Sequence, residues 1–386
     1  MPVLDHIRQS LDTVAAKHRT RVLRPAHLLP GGRLVRDGRE LLDFASNDYL
    51  GLALHPLLAE RSCHYAREYG AGAGASRLIT GTMPQHEAVE AKVAAFKGSE
   101  AALLFASGWQ ANAALIPALA KAAPATAIFA DELVHNSIHA GCRAARATTH
   151  FFRHNDCDHL AQLLAEHGGT ADARLIVTES VFSMDGDRAD LTRLNALAAT
   201  HDALLYVDEA HATGVFGPRG AGLSAEHPGN ALVMGTFSKA LGGFGAYLAC
   251  PALVRDYMVN MCAGLIFSTA PPPAVLGAMD AALELVPQMD AQRAHLAALG
   301  ERLRQGLAAL GFDTLASSTQ IVPLVLGPEQ AALAMGEHLL AAGLAALPIR
   351  PPTVPNGTSR VRIALRATHS ADDVERLLEA VGSWQR

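Results

Sequence analysis

Ala231-Leu232-Val233-Met234-Gly235-Thr236-Phe237-Ser238-Lys239-Ala240-Leu241-Gly242-Gly243 is an apolar run that ends on one lysine among small and apolar neighbours. A short run of this kind, closed by glycines, reads as a strand buried on both faces, with Lys239 just past its carboxyl end. The pattern recurs upstream in Leu204-Leu205-Tyr206-Val207-Asp208-Glu209-Ala210-His211, where an apolar strand ends on an acid and a histidine. Strands that are apolar on both faces belong to mostly parallel sheets, which collect ligands at their carboxyl ends.

Further apolar runs cover residues 101–106, 126–130, 175–178 and 246–249, and helical spacing fills 85–96, 159–166 and 191–199 between them. This alternation predicts an α/β fold, a mostly parallel central sheet flanked by helices. Ser107-Gly108, Asp131, Glu179, Asp208-Glu209 and Thr236 all fall at predicted strand ends. From Pro271-Pro272-Pro273 a helical stretch is expected to run to about residue 310. Strands at 321–326 and 360–365 around a helix at 330–342, then a last helix at 371–381, predict a smaller C-terminal α+β domain. Residues 33–44 predict a strand pair. The expected divisions are an N-terminal helix and strand segment over 1–47, a large cofactor-binding domain over 48–285 and the small domain over 286–386.

The chain has 386 residues, half of them hydrophobic and 18% charged, which suits a compact globular enzyme. A net charge of −5 argues against nucleic acid as a partner, since phosphate neutralisation needs a basic face. Cys63, Cys142, Cys157, Cys250 and Cys262 form no CxxC pair and suit free thiols in a reducing compartment. The 18 histidines include no HExxH, so no metal is expected. Residues 1–17 read as an amphipathic helix without a signal peptide's apolar core. No stretch approaches about twenty apolar residues, so no membrane span is expected. A cytoplasmic location follows as the expectation.

Burial disfavours the charged form of a lysine and frees its amine for imine chemistry with a carbonyl. A lysine at a strand end is more often an ordinary surface residue, but Asp208 changes the weighing. Lysine for an aldehyde and aspartate for a pyridine nitrogen together indicate a pyridoxal phosphate site. Ser107-Gly108-Trp109-Gln110-Ala111-Asn112 follows a strand and opens a helix, whose N-terminus suits a phosphate. A plain structural turn is the competing reading there. Trp109 either lines the site or fills a core gap. His135 either stacks on a cofactor ring or is solvated, and Asp208 either holds a ring nitrogen or caps a helix.

Several longer runs carry a family resemblance. They are Phe44-Ala45-Ser46-Asn47-Asp48-Tyr49-Leu50-Gly51-Leu52, Thr178-Glu179-Ser180-Val181-Phe182-Ser183-Met184-Asp185-Gly186-Asp187, residues 208–214, Thr236-Phe237-Ser238-Lys239 and Arg366-Ala367-Thr368-His369. Across nearly the whole chain they resemble the α-oxoamine synthase family of pyridoxal phosphate enzymes. The resemblance implies an aspartate aminotransferase-like, pyridoxal phosphate-dependent transferase fold. It also implies a C-acyltransferase that performs a decarboxylative Claisen-type condensation. Ile349-Arg350-Pro351-Pro352-Thr353-Val354-Pro355 looks most like the members of biotin biosynthesis. Those join L-alanine to pimeloyl-CoA or a pimeloyl-acyl carrier protein. Sister enzymes using glycine or serine with another acyl-CoA are the alternative, as is a non-catalytic scaffold subunit, which would lack the lysine.

By resemblance, Lys239 holds the cofactor, His135 stacks on its ring and Asp208 pairs with the ring nitrogen. His211 and Ser183 lie by the phenolic oxygen or the adjacent edge, and Gly108, Trp109 and Thr236 line the phosphate. Arg362, assisted by Asn47, matches the position that binds the amino-acid carboxylate, while Arg21 and Thr353 match substrate-binding positions. The resemblance further implies a homodimer with the active site at the subunit interface, where Ser268 and Thr269 reach the neighbour's phosphate. Two residues depart from the usual pattern: Ala212 stands where glycine is common, and Trp109 where another aromatic is usual.

Overall fold

The structure, a computed structural model, describes residues 2–17, 19–227, 229 and 231–384. A seven-stranded sheet forms its centre. Its strands are β4 (Ala101–Phe105), β5 (Thr126–Asp131), β6 (Thr148–Phe152), β7 (Ala173–Glu179), β8 (Ala203–Asp208), β9 (Leu232–Thr236) and β10 (Ala246–Cys250). They lie in the order β4-β10-β9-β8-β7-β5-β6. The pairs along β9-β8-β7-β5-β6 are parallel, and β10 runs antiparallel to both of its neighbours. Every residue of β9 and β10 is buried, as expected for strands covered on both faces. The parallel strands deliver Glu179, Asp208 and Thr236 to one edge of the sheet.

Two smaller sheets complete the fold. One has the order β1-β2-β3-β12, from His27–Leu29, Arg33–Arg36, Arg39–Asp43 and Leu344–Ala345. The other is β11-β14-β13, from Ile321–Gly327, Ser359–Ala364 and Leu347–Ile349. The parallel pairing of β12 with β3 joins the N-terminal strands to the C-terminal part of the chain. A buried ion pair reinforces this junction: Arg366 lies 2.7 Å from Asp48 and 3.6 Å from Asp43.

The helices are α1 (Pro2–Ala16), α2 (Pro56–Tyr69), α3 (Pro84–Lys97), α4 (Gly108–Ala120), α5 (Asn136–Ala145), α6 (Cys157–His167) and α7 (Leu191–Thr200). After the central sheet come α8 (Ala252–Met261), α9 (Ala263–Ile266), α10 (Pro273–Leu285), α11 (Asp290–Ala309), α12 (Glu329–Ala341) and α13 (Ala371–Gly382). The amphipathic N-terminal helix is present as α1, buries none of its residues, and its expected first residue, Met1, lies outside the described residues. The single helical stretch expected after residue 271 is in fact two helices, α10 and α11, separated by a 3-10 turn at Val286–Gln288. Pro287 in that turn has no N–H to continue the ladder. Helices α2 and α10 approach closely at Gly277, where a Cβ would sit 2.4 Å from the Arg61 carbonyl oxygen. Among the described residues no helix is long and apolar enough to cross a membrane.

Candidate active site

A cleft of about 220 Å³ opens at the carboxyl edge of the central sheet. Gly108, Trp109, His135, Asp208, His211, Thr236 and Lys239 all line it, so seven residues singled out from the sequence meet in one place. A larger cavity of about 890 Å³ lies elsewhere, beside Lys97, Arg219 and Cys250. Two of its lysines are already engaged, Lys97 with the buried Glu209 and Lys92 with Asp280. The smaller cleft has the reactive groups, and size is the poorer guide here.

Lys239 follows β9 in the turn that leads to Gly242, and its Nζ lies 2.7 Å from His211 Nε2. Burial lowers the lysine pKa from its ordinary value to about 8, although Asp208 and Glu179 pull the other way. An amine in this range is half neutral at about pH 8, far more than an ordinary lysine, and that fraction is available as a nucleophile. His211 is buried, and burial, with Lys239 and Arg362 adding to it, pushes its pKa well below the ordinary histidine value. The imidazole is therefore neutral.

Asp208 is fixed by the residues around its strand end. Its Oδ2 accepts a 2.8 Å hydrogen bond from Asn112 Nδ2, and its Oδ1 accepts one of 2.8 Å from the Ala210 N–H. Asn112 is itself held, since its Oδ1 accepts from the Tyr206 hydroxyl at 2.7 Å. Asp208 thus closes a turn, not a helix as its alternative reading had it, and presents a carboxylate to the cleft. Glu179, deeply buried, has its pKa raised well above the usual value by burial and by the Asp208 charge. It accepts the His135 N–H at 2.5 Å and so pins the loop that carries the ring. His135 meets Trp109 edge to face at 6.1 Å. Trp109 is 51% exposed, which overturns the core-filling alternative.

Ser107 caps α4, its Oγ accepting the Gln110 N–H at 3.1 Å. The start of the helix, at Gly108 and Trp109, points its remaining N–H groups out of the helix. Across the cleft the hydroxyls of Thr236 and Ser238 lie 2.6 Å apart. The Thr236 hydroxyl donates to the Gly245 carbonyl at 2.8 Å, which leaves the helix N–H groups and the Ser238 hydroxyl as the donor set suited to a phosphate. With the amine of Lys239, the carboxylate of Asp208 and the ring of His135, the residues present fit pyridoxal phosphate.

Arg362 on β14 is outside the cleft lining and reaches it through Tyr49 and His211. Its Nη2 donates to Asn47 Oδ1 at 3.0 Å and to the Tyr49 hydroxyl at 3.3 Å, while its Nε donates to the Ser183 carbonyl at 2.6 Å. Ser183 therefore takes part through its backbone, beside Arg362. Tyr49 lies 2.6 Å from His211 Nδ1, which joins the arginine to the lysine through two rings.

Four other predicted residues are not in the cleft. Arg21 is exposed between α1 and β1, and Thr353 is exposed in the turn that follows the cis Pro351–Pro352 bond. Ser268 accepts a hydrogen bond from Gln110 Nε2 at 2.8 Å, and Thr269 bridges to Ser76. Sequence reasoning gave no role to Asn112, Tyr49, Ser137, Ser238 or Gln320. Asn112, one helical turn past Gly108 on the same helix, carried the only readable signal. One further cluster, His154 with Asp185 and Asp187, puts three potential ligand atoms within 4.8 Å. Both ring nitrogens of His154 already face carboxylates, Asp131 and Asp187. Burial works against the charged ring, but those two bonds outweigh it and hold the pKa up to about 10, so the cluster is an ion network.

The class I and II aminotransferase family profile matches residues 39–381. An 8-amino-7-oxononanoate synthase of Gluconacetobacter diazotrophicus is 54% identical, over 96% of this chain and 95% of its own length. Among solved structures, a Sphingomonas wittichii serine palmitoyltransferase superposes with a TM-score of 0.91 at 30% identity, over 98% of this chain and 96% of that one. The 8-amino-7-oxononanoate synthase of Francisella tularensis gives 0.77 at 25% identity, over 89% and 97%.

Proposed function

The chain belongs to the class I and II aminotransferase family, and on that premise we propose that it condenses L-alanine with a pimeloyl thioester. The products are 8-amino-7-oxononanoate, carbon dioxide and the free thiol, carried on coenzyme A or on an acyl carrier protein. The observation that carries the reading is the line Lys239–His211–Tyr49–Arg362, which sets a reactive amine and a carboxylate receptor in one site. An α-amino acid presents the matching pair of groups.

Bound pyridoxal phosphate supplies an electron sink for the charge that develops at the amino acid's α-carbon. Lys239 would hold the cofactor through Nζ, and the same atom would take the α-proton of the bound amino acid. A pKa near 8 suits that exchange, because the amine both accepts and returns a proton near neutrality. Asp208, aimed by Asn112 and the Ala210 N–H, holds a negative charge against the ring nitrogen. The α4 N-terminus and Ser238, with Thr236 beside them, would hold the phosphate, and His135 would cover the ring. Arg362, a planar donor fork, takes the carboxylate with Asn47 beside it. Arg21 and Thr353 belong to the acyl-donor side in this reading.

The active unit is a homodimer. Ile79 and Phe267 are 75% and 83% exposed, and the Ser76–Thr269 bridge lies near both in sequence. Apolar side chains left in water at this level suit a covered interface, which would bring Ser268 and Thr269 to the partner's phosphate.

A second reading has one observation in its favour. The serine palmitoyltransferase superposes better than the Francisella synthase, which points to a sister reaction with serine and another acyl-CoA. Identity of 54% with the Gluconacetobacter synthase, against 30%, favours alanine and the pimeloyl thioester. Pairing alanine, glycine and serine in turn with pimeloyl-, succinyl-, acetyl- and palmitoyl-CoA tests this. Thiol release is expected with alanine and pimeloyl-CoA well above every other pair. Faster release with any other pair would replace the reading.

A further inference from the structure

Three groups lie within hydrogen-bond distance of the hydroxyl of Tyr49, a side chain with no exposed surface, and the Gln320 side chain faces it from slightly farther away. His211 Nδ1 lies at 2.6 Å, Asn47 Oδ1 at 3.1 Å and Arg362 Nη2 at 3.3 Å. A phenol has one hydrogen to give and lone pairs to accept with, so these contacts must be assigned together. Arg362 only donates. It also donates to Asn47 Oδ1 at 3.0 Å, which fixes the orientation of the Asn47 amide, because the flipped amide would set donor against donor. Asn47 Oδ1 is therefore an acceptor facing the phenol. If the phenol gave its hydrogen to His211, two oxygen acceptors would face each other at 3.1 Å with no hydrogen between them.

The alternative satisfies every contact. Tyr49 donates to Asn47, accepts from Arg362 and accepts from His211 Nδ1–H. Burial raises the Tyr49 pKa, against Arg362 and Gln320, so the phenol keeps its hydrogen. The lowered pKa of His211 leaves the ring a single hydrogen to place. Gln320, buried nearby, gives one Nε2 hydrogen to the His211 carbonyl and holds that loop, and its side chain also faces the Tyr49 hydroxyl.

We propose that Tyr49 is a positioning residue that fixes the tautomer of His211, accepting its Nδ1 hydrogen so that the Nε2 lone pair faces Lys239. Nζ at 2.7 Å then donates to a defined acceptor, which aims the amine into the cleft. The significance of that aim rests on the role proposed for Lys239. The tautomer itself is measured without substrate, so its failure and the failure of the proposed reaction are separate results.

The test is long-range proton–nitrogen NMR on the full-length, cofactor-free chain carrying nitrogen-15 histidine, with His211→Gln locating the resonance. The expected result is a pyridine-type Nε2 and a pyrrole-type Nδ1. Asn47→Ala frees the phenol hydrogen to turn toward His211, so the two nitrogen shifts should exchange although Asn47 does not touch the ring. Tyr49→Phe should move both nitrogens toward intermediate shifts as the tautomers mix. A pyrrole-type Nε2 in the unsubstituted chain overturns the proposal, and so does either variant leaving both shifts unchanged.

Discussion

The amine of Lys239 owes its reactivity to burial, and burial has a cost in stability that can be measured. With a folded pKa near 8 against an ordinary value of 10.5, the unfolded chain binds more protons between those two values. Stability from this group therefore rises with pH through that window, and the penalty is present in full below about pH 8. The cofactor-free Lys239→Met variant should melt above the cofactor-free native chain at pH 7, and scanning calorimetry should show the gap closing toward pH 10. Covalent attachment of pyridoxal phosphate, trapped with borohydride, should accelerate as pH rises through about 8. Asp208→Asn should keep the cofactor but lower kcat by about a hundredfold or more, the scale of losing one aimed electrostatic partner. Lys239 and Asp208 were legible because each ends an apolar strand. Tyr49 and Gln320 were not, since their meaning lies in contacts with residues far away in sequence, among them His211.

At the scale of elements, the turn that follows β7 shows how the small C-terminal sheet meets the cleft. Gly186 has φ +68°, and a Cβ there would lie 1.9 Å from the carbonyl oxygen of Ile321 on β11. Gly186→Ala should destabilise the chain by about 2–4 kcal/mol, the range for a clash added to backbone strain. Because Ser183 holds Arg362 in the same turn, KM for alanine should rise more than kcat falls. Removal of the buried Arg366 guanidinium by Arg366→Ala should cost about 3–5 kcal/mol in urea melts, since Asp48 would be left unpaired. Six strands of the central sheet were readable as apolar runs. The seventh, β6, escaped because it lies at the sheet edge and carries Thr148, Thr149 and His150, which leave no apolar signature. The antiparallel direction of β10 is likewise invisible in composition, because a strand buried on both faces reads the same either way.

For the whole molecule, the sequence carried the family and the layout, while the assembly depends on surfaces that no periodicity reveals. Phe267→Asp should shift the species seen by light scattering from dimer to monomer and lower activity with it; an active monomer would remove the interface from the account. The central claim is a condensation that expels the amino-acid carboxyl group, in a family profile named for aminotransferases. Its most direct test is the fate of label from L-alanine carrying carbon-13 in the carboxyl group, incubated with the holoenzyme and pimeloyl-CoA. Labelled carbon dioxide and an unlabelled 8-amino-7-oxononanoate are expected by mass spectrometry. Label recovered in pyruvate, or retained in the condensation product, would contradict it.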